Sequence, residues 1–276
     1  MADFIFPPMG YGPGSQPAPD GELEYMTMPQ DMRTFSLHIP EVEADPALEP
    51  ALALLDRIAR ACAEAANGAP NARFDLAGLD RGNRALMAET LGQGEVSMRI
   101  HGIPAIAAQE SVFAGVWVLK GAGLDVVEVG KVPTASLTRA FEPRRRGLGV
   151  EAPRQPGVLN APPLMVELGD KSAAYVEGQE PHVVNLTLLP HTEQDLAWMD
   201  QALGQGSTEI LSRGYGNCRI SATALAHVWR VQFFNSMDTL ILDTFEVTGM
   251  PEVALAADED LSDSAERILE VLEAIR

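Results

Sequence analysis

The chain has few of the residues that build most reactive centres. It holds two cysteines, Cys62 and Cys218, and five scattered histidines, His38, His101, His182, His191 and His227. There is no Cys-x-x-Cys pair. That argues against a structural zinc site, a four-cysteine iron–sulfur site within one chain, and a secreted disulfide scaffold. No Walker A loop, Gly-x-Ser-x-Gly elbow or His-Glu-x-x-His pair occurs, and no Gly-x-Gly-x-x-Gly opens a helix. Basic residues are scarce: 20 Lys and Arg stand against 39 Asp and Glu, for a net charge of -19. A nucleic-acid binder needs a basic stripe, and a protein docking on anionic lipid needs a basic patch, so both classes are disfavoured. No uninterrupted apolar run reaches membrane-spanning length, and the first residues lack a basic region followed by an apolar core. The expectation is a cytoplasmic protein without stable membrane insertion, cofactor, metal or catalytic residue.

What is present is enough apolar residue, 46%, to bury a sizeable core. Residues 1–33 read as a flexible arm rich in Pro and Gly, with Phe4, Ile5, Phe6, Met9 and Tyr11 available to a partner or to the protein's own body. A short strand is expected at 34–39. Asp45-Pro46 then reads as the start of a helix that ends at Asn67-Gly68. Leu48, Leu52, Leu55, Ala59 and Cys62 recur at helical spacing, so Cys62 reads as a core residue.

The most informative pattern is internal. Leu91-Gly92-Gln93-Gly94 recurs as Leu203-Gly204-Gln205-Gly206, 112 residues later, and the same spacing carries Trp117 to Trp229. Asp75-Leu76-Ala77-Gly78-Leu79 resembles Asn185-Leu186-Thr187-Leu188-Leu189. Glu128-Val129 matches Glu246-Val247, and Val132-Pro133 matches Met250-Pro251. Each copy reads as a strand, a helix stopped by glycine, and three strands; in the second copy these are near 208–212, 228–233 and 239–247. Thr192 and Asp195 form a capping-box variant at the start of the second copy's helix. The expected fold class is α/β (α+β): two diverged repeats with a mixed or mainly antiparallel sheet, plus N-terminal and C-terminal helices. The units are 34–139 with a leading helix, a proline-rich linker at 140–181 containing Arg144-Arg145-Arg146, and 182–276. Leu261, Ala265, Ile268, Leu272 and Ile275 mark the buried face of the last helix.

One segment combines glycine with polar and reactive side chains: Ser212-Arg213-Gly214-Tyr215-Gly216-Asn217-Cys218-Arg219-Ile220. It reads as a loop held by strands, a common place for function. Three readings stand open. The glycines make a turn and Cys218 packs in the sheet; or Arg213, Tyr215, Asn217, Cys218 and Arg219 contact a partner; or Cys218, beside Arg219 and with His227 nearest in sequence, is an activated thiol.

This segment also carries a resemblance. With Asn185-Leu186-Thr187-Leu188-Leu189-Pro190, Leu203-Gly204-Gln205-Gly206, the run from Val228-Trp229-Arg230 to Phe234-Asn235-Ser236, and Glu246-Val247-Thr248, it resembles hydrogenase expression/formation proteins of the HupH/HyaF type. The resemblance implies a non-enzymatic accessory role in maturing uptake [NiFe]-hydrogenases. The implied partners are the Fe–S small-subunit precursor before export and a thioredoxin-like hydrogenase accessory protein. A redox or iron–sulfur-handling role through Cys218 is the competing expectation.

Overall fold

A computed structural model describes residues 46–213 and 217–275. The arm, the 34–39 strand, Asp45 and Tyr215 lie outside the described residues. The first half runs α1 (Glu49–Ala66), β1 (Ala72–Asp75), α2 (Arg81–Leu91), β2 (Val96–Ile100), β3 (Ile106–Glu110), β4 (Val116–Gly121) and β5 (Leu124–Val129). A short α3 (Thr134–Thr138) follows. The second half runs α4 (Ala161–Ala173), β6 (His182–Asn185), α5 (Glu193–Leu203), β7 (Thr208–Ser212), β8 (Asn217–Ala222), β9 (Val228–Phe234) and β10 (Leu240–Val247). A 3₁₀ turn (Glu252–Ala254) and α6 (Asp258–Ile275) complete the order.

The ten strands of the described residues form one sheet, ordered β1-β5-β4-β3-β2-β7-β8-β9-β10-β6. Every neighbouring pair is antiparallel, which resolves the mixed-or-antiparallel expectation. The halves meet at β2 and β7, where Met98 lies opposite Ile210. Those two residues are themselves 112 apart, so the seam pairs equivalent positions of the two halves.

Hydrogen bonds recur at the same spacing. Gly94 N donates to Glu110 O (2.7 Å) and Gly206 N to Ala222 O (2.9 Å). Val112 N donates to Leu91 O, and Ala224 N to Leu203 O. Trp117 and Trp229, both fully buried, donate their indole N–H to Gly130 O (3.0 Å) and Thr248 O (3.2 Å). A buried indole needs such a partner, which fixes the turn after β5 and after β10 in the same way. Gly92 (φ +53°) and Gly204 (φ +67°) cap α2 and α5 in the left-handed region, as expected of helix-stopping glycines.

Three sequence expectations need correction. Each half carries four strands after its helix, not three. In the second half the unread strand is β8, because Gly214 and Gly216 made the whole 212–220 segment look like a loop. The 140–181 segment, read as a linker, contains α4, whose Pro162 and Pro163 sit in its first turn. There the missing N–H costs nothing, so prolines that look like breakers start a helix instead. Finally, Pro46 begins a 3₁₀ turn (Pro46–Leu48), and the α-helix proper starts at Glu49.

With α4 included, each half has a leading helix fastened by the third residue of the next helix. Asn83 Oδ1 accepts from Ala51 N (2.8 Å), and Asp195 Oδ1 accepts from Ala161 N (3.0 Å). The apolar stripe of α1, Cys62 included, is buried against α6, whose Leu261, Ala265, Ile268, Leu272 and Ile275 are all buried. One core cluster lies on one sheet face and joins both halves through Met98, Trp117, Ile210, Ile220 and Trp229. Another joins α4, α5, β6 and β10 through Leu168, Trp198, Val184 and Phe245.

Candidate functional site

Side chains alternate along each strand, so residues two apart share a sheet face. On β2, β7 and β8, the face opposite the Met98–Ile210 core carries Ser97, Arg99, Glu209, Leu211, Arg219 and Ser221. These line a cavity of about 360 Å³ with Arg213. Neighbouring cavities extend it to the C-terminal ends of α2 (Ala88, Leu91) and α5 (Asp200, Leu203). The result is an open cleft over the seam, with a helix from each half at its sides.

In so acidic a chain the cleft is locally basic. Arg99 and Arg213 form no ion pair among the described residues. Arg219 lies 4.6 Å from the centroid of the Phe234 ring, a cation–π contact that holds the guanidinium while leaving its N–H groups open. Glu209 is neutralised by Arg144 (2.8 Å) and approached by His101 (3.3 Å). Arg145 pairs with Asp200 (2.6 Å), so two of the three consecutive arginines close on the protein's own carboxylates. Arg230 makes a two-point pair with Asp243 (3.0 and 2.6 Å).

The structure divides the residues expected from the 212–220 segment. Arg213 and Arg219 share the cleft. Arg213 also extends the β2–β7 ladder by donating its N–H to Glu95 O (3.1 Å). Asn217 is on the same strand face, and its side chain donates to Asp238 Oδ1 (2.9 Å) in the β9–β10 turn. Cys218 points the other way, into the core with Ile220 and Ala222. Burial, then the charge of Glu246, pushes its thiol up to about 12. Arg219, on the opposite face, does not offset this. His227 lies near the far end of the β8–β9 hairpin, stacked on Tyr175 at 4.1 Å. Cys218 pairs with Phe233 whereas Ala222 pairs with Trp229, so Cys218 and His227 are separated by roughly five residues of strand, about 17 Å. They do not form a nucleophile–base pair. Cys62 is equally inert, its thiol pushed up to about 12 by burial. The activated-thiol reading of Cys218 therefore has neither a neighbouring base nor thiolate-favouring surroundings in this fold.

Arg99 was missed by sequence reasoning, since it lies on the first half's strand, more than a hundred residues from Arg213. The signal was available: Arg99 and Leu211 are equivalent positions of the two matched segments, and both face the cleft. Among the described residues no cluster of three or more His, Cys, Asp or Glu is placed to hold a metal. No helix among them is long and apolar enough to cross a membrane.

Comparison with known proteins gives a consistent picture. The family model described as "HupH hydrogenase expression protein, C-terminal conserved region" matches residues 48–140 and 158–275. The chain is 65% identical to the hydrogenase expression/formation protein HupH of Rhodobacter capsulatus over the full length of both. It is 46% identical to the hydrogenase expression/formation protein HoxQ of Cupriavidus necator, covering 99% of this chain and 98% of that one. The hydrogenase-1 operon protein HyaF of Escherichia coli is 35% identical over 71% of each chain.

Proposed function

Because the chain belongs to the HupH family of hydrogenase expression/formation proteins, with a role in hydrogenase maturation, we propose that it acts by binding a client polypeptide, without a catalytic step of its own. The client is the Fe–S small-subunit precursor, held in the cytoplasm before export, with a thioredoxin-like accessory protein as a second partner. The observation that carries this reading is the cleft over the β2–β7 seam, where Arg99, Arg213 and Arg219 are gathered from both halves. Guanidinium groups present forked donors to carboxylates and main-chain carbonyls of an inserted segment. The cleft is built on hydrogen-bonded strands and packed helices, an arrangement that lowers the ordering cost on this side of the complex. The net charge of -19 speeds encounter with a basic client more than it adds affinity.

The test is co-purification of the small-subunit precursor with wild type and with the Arg99→Ala/Arg213→Ala/Arg219→Ala variant. All three side chains are exposed, so the variant is expected to fold normally. Recovery of precursor is expected to fall at least tenfold while far-UV circular dichroism is unchanged. Equal recovery would refute the surface assignment, and recovery of only the large subunit would refute the choice of client.

A further inference from the structure

The two halves treat one equivalent carboxylate differently. In the first half Glu128 is buried on β5, on the same face as Trp117 of β4. Its Oε1 accepts from Asn71 Nδ2 (2.8 Å), Thr134 N (2.7 Å) and Thr134 Oγ1 (2.6 Å). Its Oε2 lies 4.0 Å from Arg73 Nε, on the neighbouring edge strand β1, where Arg73 is the register partner of Glu128. This carboxylate is closed from within by one guanidinium, one amide and the threonine that opens α3.

The second-half equivalent is Glu246 on β10, opposite Trp229. Each donor has been replaced. The register partner on the edge strand β6 is Val183 in place of Arg73. Pro181 stands in the place of Asn71. Glu252, directly after Met250-Pro251, stands in the place of Thr134, directly after Val132-Pro133. Among the described residues Glu246 keeps only the Thr244 hydroxyl as a hydrogen-bond donor (3.2 Å). Burial raises its pKa from the ordinary carboxylate range, with the Thr244 bond opposing. Neither Glu246 nor Glu252 is paired with a cation among the described residues.

The replacements do not collapse the site. Pro181, Val183, Phe233, Glu246, Glu252 and Val253 line an open groove of about 470 Å³. Val183 and Val253 remain 50% and 41% exposed there. Exposed valine surface here stands beside two carboxylates that have no cation partner among the described residues, and one kind of group complements both. A planar cation on an apolar stem satisfies the carboxylates with its head and covers the valines with its methylenes.

We propose that this groove is a docking site for an arginine side chain, flanked by apolar residues, on a partner polypeptide. The partner's guanidinium takes the place that Arg73 holds in the first half, between the edge-strand residue and the β10 carboxylate, with Glu252 as the second acceptor. The groove lies on the opposite sheet face from the arginine cleft, since Glu246 shares its face with Trp229 and Cys218. It does not depend on that cleft being used or on the identity of the client.

The test uses ¹⁵N-labelled full-length protein titrated with acetyl-Leu-Arg-Leu-amide, and with the same peptide carrying citrulline, the uncharged isostere of arginine. The arginine peptide is expected to shift the amides of Val183, Phe233, Glu246 and Val253, with the citrulline peptide at least tenfold weaker. Glu246→Gln/Glu252→Gln is expected to weaken the arginine peptide at least tenfold as well. Val183→Arg, which rebuilds the first-half pair inside the chain, is expected to abolish peptide binding while leaving the fold intact. Equal affinity for the two peptides, shifts confined to other surfaces, or wild-type binding by Val183→Arg would each overturn the proposal. Concentration-dependent dimerisation that is lost in the double variant would assign the groove to a second copy of this chain and overturn it too. Failure of the precursor co-purification alone would leave this result unaffected, so the two ideas fall separately.

Discussion

Asp195 should be the most sensitive polar residue in the second half. Its side chain is 1% exposed and serves two helices at once. Oδ1 accepts N–H bonds from Leu159 (2.7 Å), Asn160 (2.9 Å) and Ala161 (3.0 Å) at the start of α4. Oδ2 accepts from Thr192 N (3.0 Å), closing the capping box of α5. Asp195→Ala removes the acceptor for four backbone N–H groups. A hydrogen bond to a charged group contributes about 1.5–3 kcal/mol alone. The bonds share one carboxylate, and water can reach the exposed side of Leu159 and Asn160, so the total falls well below four times that. The expected loss is about 3–4 kcal/mol. Asp195→Asn keeps one acceptor and turns an amide donor toward the other N–H groups, for an expected loss of about 2 kcal/mol. Burial pushes the carboxyl pKa up, but bonds from Thr192, Ala161, Leu159 and Asn160 outweigh it and hold the value down to about 2. A depressed folded-state pKa gives stability that is present above the unfolded value near 3.8 and lost as pH falls toward 2. The gap between wild type and Asp195→Asn should therefore narrow across that window. Urea unfolding followed by far-UV circular dichroism at pH 7, 4 and 2.5 measures it. A loss below 1 kcal/mol for Asp195→Ala, or a gap independent of pH, would refute the reasoning.

Further expectations follow from other buried positions. Burial pushes the Glu110 carboxyl up to about 7, with Glu95 and Asp260 adding to the rise and the Gly115 N–H bond opposing it. The folded state then binds a proton that the unfolded state has released, so stability falls as pH rises from about 4.5 to about 7, by roughly 2–3 kcal/mol in total. Glu110→Gln should flatten that part of a melting-temperature profile, and an unchanged slope refutes it. An added Cβ at Gly206 would collide with the carbonyl oxygens of Ala140 and Thr223, so Gly206→Ala should lower stability by about 2 kcal/mol or more in the same urea assay. Gly78→Ala, where nothing stands near the added carbon, is the control. Both thiols should resist iodoacetamide in the native protein at pH 8 and react on unfolding; fast native labelling of Cys218 would revive an active-thiol role.

Local periodicity made much of this fold legible. The stripes of α1 and α6, the glycine stops of α2 and α5 and the Thr192 capping box depend on residues close in sequence, so propensity and pattern expose them. The single sheet was not legible, because the β2–β7 seam pairs strands more than a hundred residues apart. Helix α4 was hidden by Pro162 and Pro163, which look the same whether they break a helix or begin one. At the site, Arg213 and Arg219 were found because they flank a conspicuous glycine pair. Cys218 was drawn into the same group by adjacency. The alternation of Cys218, Ile220 and Ala222 with Arg219 and Ser221 already placed the thiol and the guanidinium on opposite faces, once the segment was read as a strand. The unpaired Glu246 was concealed differently: its meaning lies in Val183 and Glu252, which are unremarkable alone and informative only beside Arg73 and Thr134.

The pairing of Met98 with Ile210 has a consequence for how such a molecule can diversify. A lone half would end in an unpaired β2 edge, and its natural remedy would be a second identical half meeting it across a twofold axis through that same position. In such a homodimer every change is made twice, so a socket opened on one side is opened on the other, at double the cost in stability. Covalent fusion lifts that restriction. One half can keep Asn71, Arg73 and Thr134 as a sealed support while the other gives up its donors and becomes available to something outside.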